Sequence, residues 1–259
     1  MTSSAAPVRT LAIAIGNSSL FAGVFEADSL AWSLRAPAGA DPGGFVRRLR
    51  VRARGRIDAA ALCSVVPGLT SAVAGAVRRA WGVTPRVLRA AGGHGLRIGY
   101  LKPSQLGADR VAAALGARAA FPGRNVIVVD FGTATTVTAL SREGVVLGGA
   151  IIPGAALWSG MLSAKTAQLP RVALRRPEAA LARSTADGMR SGIFHGHAGA
   201  VRELAGRIRA EAFGRADAVV VGTGGNAAPF AGEGLFAEIK PDLVLRGLLM
   251  FSASVHDSR

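Results

Sequence analysis

A short strand–turn–strand motif occurs twice in the chain. Residues 12–18 read Ala-Ile-Ala-Ile-Gly-Asn-Ser, and residues 128–134 read Val-Val-Asp-Phe-Gly-Thr-Ala. In each copy, an apolar strand leads through a glycine and a small polar residue into a second apolar strand. Because each copy continues into further strands and helices, the sequence predicts a duplicated α/β protein whose two domains flank a central cleft. We expect the domains to span residues 1–120 and 121–259, with the boundary near Phe121-Pro122-Gly123.

The composition is typical of a globular chain with a large core. Of the 259 residues, 50% are hydrophobic and 18% are charged, which excludes disorder over most of the chain. The strongest apolar runs, at residues 126–129 and 218–221, are far shorter than the roughly 18 residues of a membrane span. Residues 1–9 are expected to form a loose leader without the pattern of a secretory signal. Cys63 is the single cysteine, so no internal disulfide can form, and we expect a cytoplasmic location.

The chain is strongly basic, with a formal net charge of +15. Only three of its 31 basic residues are lysine, at Lys102, Lys165 and Lys240. Such an excess of arginine is compatible with a nucleic-acid or phosphate-bearing partner, but also with an arginine-rich surface that has no such role. Aromatic residues are not interleaved with the basic ones, which argues against a nucleic-acid partner. The densest basic cluster, in residues 47–56, is predicted to form the solvated face of a helix.

Apolar periodicity and turn residues predict the order of strands and helices. Strands are predicted in a hairpin over residues 10–26 and at residues 59–66, 86–88, 125–130, 137–140, 145–152 and 218–221. Helices are predicted at residues 41–55, 70–81, 104–120, 157–166, 184–213 and 243–251. Ser104 is the expected N-cap of the third helix. The long fifth helix is expected to break at one of its glycines, Gly192, Gly196 or Gly199.

The second copy of the repeated motif carries the strongest signal for chemistry. Residues 130–136 read Asp-Phe-Gly-Thr-Ala-Thr-Thr. A tight glycine turn exposes backbone N–H groups and lets a phosphate approach without a Cβ in the way, and the threonine hydroxyls add donors. A carboxylate at the strand end, Asp130, can hold a cation that neutralises phosphates. The same residues would also suit an ordinary hairpin turn, so the motif alone leaves both interpretations open.

Two further segments contain candidate functional residues. Gly222-Thr223-Gly224-Gly225-Asn226 follows a predicted strand and could cradle a phosphate or a purine. It does not match the P-loop pattern G-x-x-x-x-G-K-[ST], and too few residues follow it for a Rossmann fold. In Tyr100–Arg110, Asp109 could accept a proton from a hydroxyl and Arg110 could grip an anion. A pair of surface charges on a helix is the alternative interpretation of these two residues.

The histidines give no comparable signal. His195 and His197 are two residues apart and would lie on different faces of a helix, so a shared metal ion is not expected. The sequence contains no G-x-S-x-G, no H-E-x-x-H and no paired cysteines. A serine hydrolase or a zinc enzyme is therefore not supported.

Taken together, these segments resemble the type III pantothenate kinase family, which lies within the acetate-kinase and Hsp70-type ATPase superfamily. The resemblance extends from Leu11 to about Met250 and implies two ribonuclease-H-like domains. The ordered matches are Ile15-Gly16-Asn17-Ser18 with the first phosphate motif D-V-G-N-T, Ser64–Pro67 with S-V-V-P, Tyr100–Arg110 with Y-x-N-P-x-x-L-G-x-D-R, Asp130–Thr136 with D-F-G-T-A-T-T, Gly148–Gly154 with G-G-x-I-x-P-G, Lys165–Pro170 with T-A-x-L-P, and Thr223-Gly224-Gly225 with T-G-G.

The resemblance implies that ATP donates its γ-phosphoryl group to the primary hydroxyl of pantothenate, the first step toward coenzyme A, with Asp109 as general base. The residues implied to hold pantothenate are Tyr100, Gly107, Ala108, Arg110 and Thr185. The residues implied to bind the nucleotide are Gly16, Asn17, Ser18, Gly132, Thr133, Thr223, Gly224 and Gly225. Asp130 would help to place a monovalent cation, K⁺ or NH₄⁺, and Mg²⁺ would bridge the phosphates. The enzyme would be a homodimer whose substrate sites are completed at the interface.

The chain departs from the family pattern at two positions. The aspartate that begins the first phosphate motif is Ala14 here, and the internal repeat aligns Ala14 with Asp130. A methyl group cannot coordinate a metal ion or orient its water shell. The asparagine of Y-x-N-P is Lys102, which changes the charge near the expected pantothenate site. Three hypotheses stay open: a working pantothenate kinase with altered metal handling, a catalytically silent relative that binds ligands or regulates, and a kinase of a related hydroxylated acid.

Overall fold

The structure, a computed structural model, describes residues 7–254. The leader expected at residues 1–9 therefore lies mostly outside the described residues. The chain forms two compact units. Unit 1 comprises the chain up to residue 119 together with a C-terminal helix, and unit 2 comprises residues 120–242.

The elements follow in chain order. The strands are β1 (Arg9–Ile15), β2 (Ser19–Glu26), β3 (Ser29–Pro37), β4 (Ala59–Ser64), β5 (Arg86–Val87), β6 (Arg97–Ile98), β7 (Asn125–Phe131), β8 (Ala134–Leu140), β9 (Val145–Pro153), β10 (Ala218–Thr223) and β11 (Glu238–Ile239). The helices are α1 (Pro42–Ala53), α2 (Pro67–Trp81), α3 (Ala108–Ala120), α4 (Ala155–Lys165), α5 (Thr185–Phe213) and α6 (Leu243–Ala253). Two 3₁₀ helices cover Pro103–Gln105 and Ala228–Glu233.

The sheet of unit 1 has the strand order β3-β2-β1-β4-β5. Strands β1, β2 and β3 pair antiparallel as a meander, and β4 and β5 extend the sheet in parallel. Strand β1 is buried almost throughout, as expected for a central strand covered on both faces. Apolar residues of α1 and α2 pack on the sheet in one core that includes Phe45, Leu49 and Val77.

The strands of unit 2 repeat this arrangement in the order β9-β8-β7-β10-β11. Strands β7, β8 and β9 form the antiparallel meander, and β10 and β11 add in parallel. The five strands of the unit 1 sheet therefore correspond one by one to the five strands of unit 2, with β1 matching β7 and β4 matching β10. The predicted duplication is confirmed, and each unit has the ribonuclease-H-like strand order. Helix α5 covers this second core through residues such as Phe194 and Val201.

The expected domain limits are wrong at the C-terminus. The predicted second domain of residues 121–259 included α6, but α6 belongs to unit 1 and packs against β1, β2 and β4. Five of its large apolar side chains are buried, so this helix needs an apolar sheet face to cover it. The observed division between residues 119 and 120 lies one residue from the expected division.

Several predicted elements differ in detail. Helix α3 begins at Ala108, and Ser104 lies in a 3₁₀ turn instead of capping the helix. The predicted turn over residues 131–136 is shorter, because Phe131 and Ala134 already belong to paired strands. Helix α5 runs unbroken for 29 residues through all three of its expected break points. Its buried face packs on unit 2, and this packing outweighs the roughly 1 kcal/mol that each interior glycine costs a helix.

The arginines of α1 lie on the solvent side of the helix, as predicted. Arg47, Arg48, Arg50 and Arg52 are exposed, whereas Phe45, Val46 and Leu49 on the opposite side are buried. In the part of the chain that the structure describes, no helix combines the length and the apolarity needed to cross a membrane.

Candidate active site

Asp109 lies in the first turn of α3. The carbonyl of Gly107 accepts hydrogen bonds from the N–H groups of Arg110 and Val111, so Gly107 occupies the capping position of the helix. The Asp109 Oδ1 atom accepts a hydrogen bond of 2.8 Å from the Arg110 N–H. A carboxylate in the first turn is favoured by the helix dipole, and the hydrogen bond fixes its orientation.

Gly107 lies directly beside the carboxylate, and a side chain at this position would require the carboxylate to move. A Cβ at Gly107 would overlap Asp109 Oδ1 and would lie 3.8 Å from Cγ1 of Val65. Val65 follows β4, and its N–H donates to the carbonyl of Ile15 over 3.0 Å. Asp109 therefore sits near the carboxyl ends of β1 and β4, which is the edge where ligands bind in open α/β sheets.

Burial raises the pKa of the Asp109 carboxyl above its ordinary value, because desolvation disfavours the charged form. The hydrogen bond from the Arg110 N–H and the charge of the Arg110 guanidinium act in the opposite direction and are the smaller effects. A carboxylate with a raised pKa is a stronger base than an exposed aspartate. Asp109 thus has the properties of a general base.

Arg110 is held in place beside this carboxylate. The residue is only 7% exposed, and its guanidinium carbon lies 5.6 Å from the centre of the Tyr100 ring. Tyr100 is half-buried, and Lys102 two residues later is exposed. The structure therefore brings together four of the residues expected to handle the acceptor, namely Tyr100, Gly107, Asp109 and Arg110.

The glycine turn after β7 forms a compact backbone cradle in unit 2. Strands β7 and β8 are joined by Gly132 and Thr133 alone, and the Gly132 N–H lies 3.2 Å from the Ala134 carbonyl. Gly154 packs directly against the turn, since a Cβ at this position would lie 2.5 Å from the Gly132 carbonyl oxygen. Only glycine permits this approach of two backbones.

Gly224 closes the same cradle from the end of β10. It has a φ of +94°, and a Cβ at this position would overlap Asp130 Oδ1 and lie 2.6 Å from the Phe131 nitrogen. Asn226 locks the two segments together, because its N–H donates to the Phe131 carbonyl over 3.1 Å. The structure thus places Asp130, Gly132 and Gly224 in one site. Asn226 and Gly154 belong to motifs visible in the sequence, but their bracing roles require backbone proximity that a sequence does not show.

Two threonines expected to face a ligand are used inside the protein. Thr223 is fully buried, and its hydroxyl donates to the Lys240 carbonyl over 2.7 Å. Thr135 is also buried, and its hydroxyl lies 3.0 Å from His197 Nε2. The Thr135 hydroxyl is therefore not one of the open donors that the threonine-rich motif suggested. Near Thr223, the neighbouring glycines Gly224 and Gly225 are the more open part of the loop.

The turn of the first hairpin is longer than its counterpart in unit 2. Gly16, Asn17 and Ser18 join β1 to β2, and the Gly16 N–H donates to the Ser19 carbonyl over 2.9 Å. Asn17 and Ser18 are exposed. They follow Ile15, whose carbonyl accepts the Val65 N–H. Ala14 is half-buried in β1, one residue before Ile15. This strand end therefore presents a polar turn but no carboxylate at the position that matches Asp130.

The last predicted contacts lie at the start of α5. Thr185 is exposed as the first residue of this helix, next to the capping residue Ser184. The Ser184 hydroxyl lies 2.7 Å from the Asp187 carboxylate and accepts the Asp187 N–H. Between residues 7 and 254, no group of three or more His, Cys, Asp or Glu side chains is arranged to hold a metal ion. The metal role expected of Asp130 would therefore require ligand oxygens in addition to protein side chains.

Comparison with known proteins identifies close relatives. The model of the family described as type III pantothenate kinase matches residues 10–207. A type III pantothenate kinase of Legionella pneumophila is 38% identical over 245 residues, which cover 92% of this chain and 96% of the relative. Type III pantothenate kinase 1 of Francisella tularensis is 40% identical over 245 residues, which cover 91% of this chain and 95% of the relative.

Similarity to a solved structure extends to the fold. The activator of the 2-hydroxyisocaproyl-CoA dehydratase of Clostridium difficile, solved with bound ADPNP, aligns with a TM-score of 0.53 at 11% identity. The alignment covers 95% of this chain and 94% of that protein. At this identity the likeness concerns the fold, and it agrees with the duplicated sheet order described above.

Proposed function

The chain belongs to the type III pantothenate kinase family. We therefore propose that it phosphorylates the primary hydroxyl of pantothenate with ATP, the first step toward coenzyme A. In this reaction the hydroxyl oxygen bonds to the γ-phosphorus, the bond from that phosphorus to the β,γ-bridging oxygen breaks, and ADP leaves. The observation that carries the proposal is the desolvated Asp109 carboxylate, fixed beside Arg110 at the carboxyl ends of β1 and β4. A positioned base of this kind can orient the attacking hydroxyl and accept its proton.

Asp109 would accept the hydroxyl proton. Its raised pKa makes it a stronger base than an exposed aspartate, and the hydrogen bond from the Arg110 N–H to Oδ1 fixes its orientation. Gly107 allows this because a side chain there would displace the carboxylate. General bases of this kind contribute about 10²–10⁴-fold to a rate.

Pantothenate carries a carboxylate, and Arg110 is the cation we propose to bind it. Its burial against Tyr100 holds the guanidinium in one direction, which reduces the entropy lost when an anion binds. Gly107, Ala108 and Thr185 are the remaining proposed contacts of the acceptor.

The backbone cradle of unit 2 suits a phosphate chain. Gly132 and Gly224 leave space that a Cβ would fill, and backbone N–H groups are the donors that phosphate oxygens accept most readily at glycine turns. We propose that Gly132, Thr133, Gly224 and Gly225 contact the nucleotide, with Gly16, Asn17 and Ser18 contributing from the first hairpin. The Thr223 hydroxyl donates a hydrogen bond to the Lys240 carbonyl. Thr223 would therefore help to position the glycine loop that follows it, without a side-chain contact to the nucleotide.

We propose Asp130 as the protein residue nearest the cations that the reaction requires. Its carboxylate lies against Gly224 at the end of β7, beside the glycine turn. When bound, Mg²⁺ and a monovalent cation, K⁺ or NH₄⁺, would neutralise charge on the phosphates. Asp130 would orient these ions or their water shell.

We also propose that the protein forms a homodimer through unit 2 and works in the cytoplasm, where ATP is available. The apolar rows of β9 and α4 support the dimer. Ile151 is 63% exposed and Met161 is 57% exposed, and Leu147, Leu157 and Leu162 are exposed as well. Leu147 and Ile151 share one face of β9, and Leu157 and Met161 share one face of α4, and exposed apolar rows of this kind are characteristic of an interface.

A coupled assay of ADP release with pantothenate and Mg²⁺ tests the proposed activity. Turnover is expected for the native chain, and Asp109→Asn is expected to lower kcat by about 10²–10⁴-fold. Asp28→Asn, which changes an exposed aspartate of unit 1, serves as the matched control and should leave kcat unchanged. Ligand binding without turnover would instead support a silent relative, and turnover with another hydroxylated acid but not with pantothenate would show a different acceptor.

A further inference from the structure

A buried histidine lies beneath the glycine turn of unit 2. His197 is fully buried on α5, and its Nε2 atom lies 3.0 Å from the Thr135 hydroxyl. Three aromatic rings surround it, those of Phe131, Trp158 and Phe230, at centroid distances of 5.8, 5.7 and 5.6 Å. We call these five residues the His197 cluster.

Members of the cluster belong to or directly adjoin the segments that build the backbone cradle of unit 2. Phe131 directly precedes Gly132, and Thr135 follows the turn by two residues. Phe230 belongs to the 3₁₀ helix after Gly224–Asn226. Trp158 lies on α4, which begins directly after Gly154, and its ring nitrogen donates to the Pro153 carbonyl over 3.2 Å.

His197 is not needed as a simple filler of the core. An aromatic or aliphatic residue would pack among three rings without placing a polar group in an apolar environment. Burial lowers the pKa of His197, so the ring is neutral at physiological pH and can share one hydrogen bond with the Thr135 hydroxyl. Its Nδ1 atom makes no hydrogen bond within the described residues, which is an unfavourable feature of the folded state. A role other than stability would explain why a polar pair, His197 and Thr135, lies in this apolar environment.

We propose that His197 is a positioning residue for the phosphate turn, and that its hydrogen bond to Thr135 holds the start of β8 so that the Gly132–Thr133 backbone faces the nucleotide. This inference rests on the proposed function, because it assigns the turn to ATP. The rings of Phe131 and Phe230 stack on each other and would restrain the ends of β7 and β10, the two strand ends next to Asp130. None of the residues proposed to contact the acceptor belongs to the His197 cluster.

Conservative variants separate positioning from general stability. His197→Phe keeps an aromatic ring in the cluster and removes the hydrogen bond, and Thr135→Val removes the same bond from the other side. Each is expected to lower kcat/KM for ATP by about tenfold, the equivalent of one hydrogen bond, while KM for pantothenate stays unchanged. Thr135→Ser, which keeps the hydroxyl, should retain native kinetics. The double variant should be no worse than either single variant, because both remove one interaction.

His195→Phe is the matched control, since His195 lies on the same helix but is exposed. Calorimetric titration with a non-hydrolysable ATP analogue gives a readout independent of turnover, so an inactive native chain would not obscure the result. Tenfold weaker binding in His197→Phe and Thr135→Val, with native binding in Thr135→Ser and His195→Phe, supports the proposal even if pantothenate is not the acceptor. Native binding in His197→Phe, equal losses toward both substrates, or no nucleotide binding by the native chain would each overturn it.

Discussion

Gly116 of α3 and Gly247 of α6 face each other where the two helices cross. A Cβ built on Gly116 would lie 3.2 Å from the Gly247 nitrogen, and one built on Gly247 would lie 3.0 Å from the Gly116 nitrogen. Either Cβ would also overlap a carbonyl oxygen of the facing helix, that of Leu243 or Ala112. Through this contact the C-terminal helix supports the helix that carries Asp109.

Substitution at the crossing should destabilise unit 1. Gly247→Ala forces a methyl group into the α3 backbone, which cannot move aside as a side chain can, and we expect a loss of about 1–3 kcal/mol in the free energy of unfolding. Gly68→Ala, at a helical glycine with open space around it, should change stability by no more than about 0.5 kcal/mol. Urea unfolding of the two variants measures both values. Equal stability of Gly247→Ala and the native chain would contradict the tight crossing.

The activity should depend on pH through Asp109. The proposed base must be ionised, and its pKa lies above the ordinary value of 3.8, so kcat/KM should fall on the acid side at a higher pH than an exposed aspartate would allow. A pH profile of ADP release, with saturating ATP and varied pantothenate, measures this limb. An acid limb at or below 3.8 would contradict the desolvated environment.

The same carboxylate should oppose stability at neutral pH. Because its pKa is raised in the folded state, the folded protein binds the proton more tightly than the unfolded chain, and stability is gained as the pH falls through the raised pKa. Above that pKa the ionised form is a cost, so Asp109→Asn should raise Tm at pH 7 while it lowers turnover. Thermal unfolding at pH 7 and pH 4 should show a smaller benefit of the variant at the lower pH.

Restoring a carboxylate at residue 14 should increase activity. Ala14 occupies the position in β1 that matches Asp130 in β7, and the half-buried methyl group cannot place a cation. Charge stabilisation of this kind contributes about 10²–10³-fold in related settings, so we expect Ala14→Asp to raise kcat by up to about 10²-fold. The ADP-release assay measures the gain across a range of Mg²⁺ concentrations. An unchanged rate at every Mg²⁺ concentration would show that this position does not limit the chemistry.

Gly224 should be essential for nucleotide binding. Gly224→Ala adds a Cβ that overlaps Asp130 and strains a residue with a φ of +94°, so it should weaken ATP binding by at least about tenfold. Gly206→Ala, at an exposed helical glycine of the same unit with open space around it, should bind ATP as the native chain does. Titration with a non-hydrolysable ATP analogue compares them. Native affinity in Gly224→Ala would remove the cradle from the proposed site.

The exposed apolar rows of unit 2 should determine the oligomeric state. Ile151→Glu places a charge in the proposed interface and should shift the protein from dimer to monomer in light scattering at micromolar concentration. Val51→Glu introduces the same charge at an exposed valine of α1 and should leave the dimer intact. A native chain that is monomeric in solution would contradict the proposed interface.

Much of the fold was visible in the sequence because the duplication repeats local patterns. Both hairpins are marked by apolar strands around a glycine, and the buried strands β4 and β10 are marked by continuous apolar runs. These signals depend on residues near one another in the chain, so they survive without tertiary information. The arginine face of α1 was predictable for the same reason.

Long-range packing decided what local patterns could not. The sequence of α6 predicts only an amphipathic helix that follows unit 2 in the chain. In the structure α6 belongs to unit 1, because its apolar residues and Gly247 fit the sheet and α3 there. Helix α5 continues through three glycines because its buried face has a core to cover. Propensity is a weak influence compared with such burial.

The chemistry of the candidate site divides in the same way. Asp109, Arg110, Asp130 and the two glycine loops could be identified from residue type and order. The raised pKa of Asp109, the burial of Thr135 and Thr223, and the hydrogen bond between His197 and Thr135 arise from atoms that are distant in the chain and meet only in the folded protein. The order of residues specified which groups are present, whereas desolvation and hydrogen bonding in the folded units decided which of them are used internally and which stay accessible.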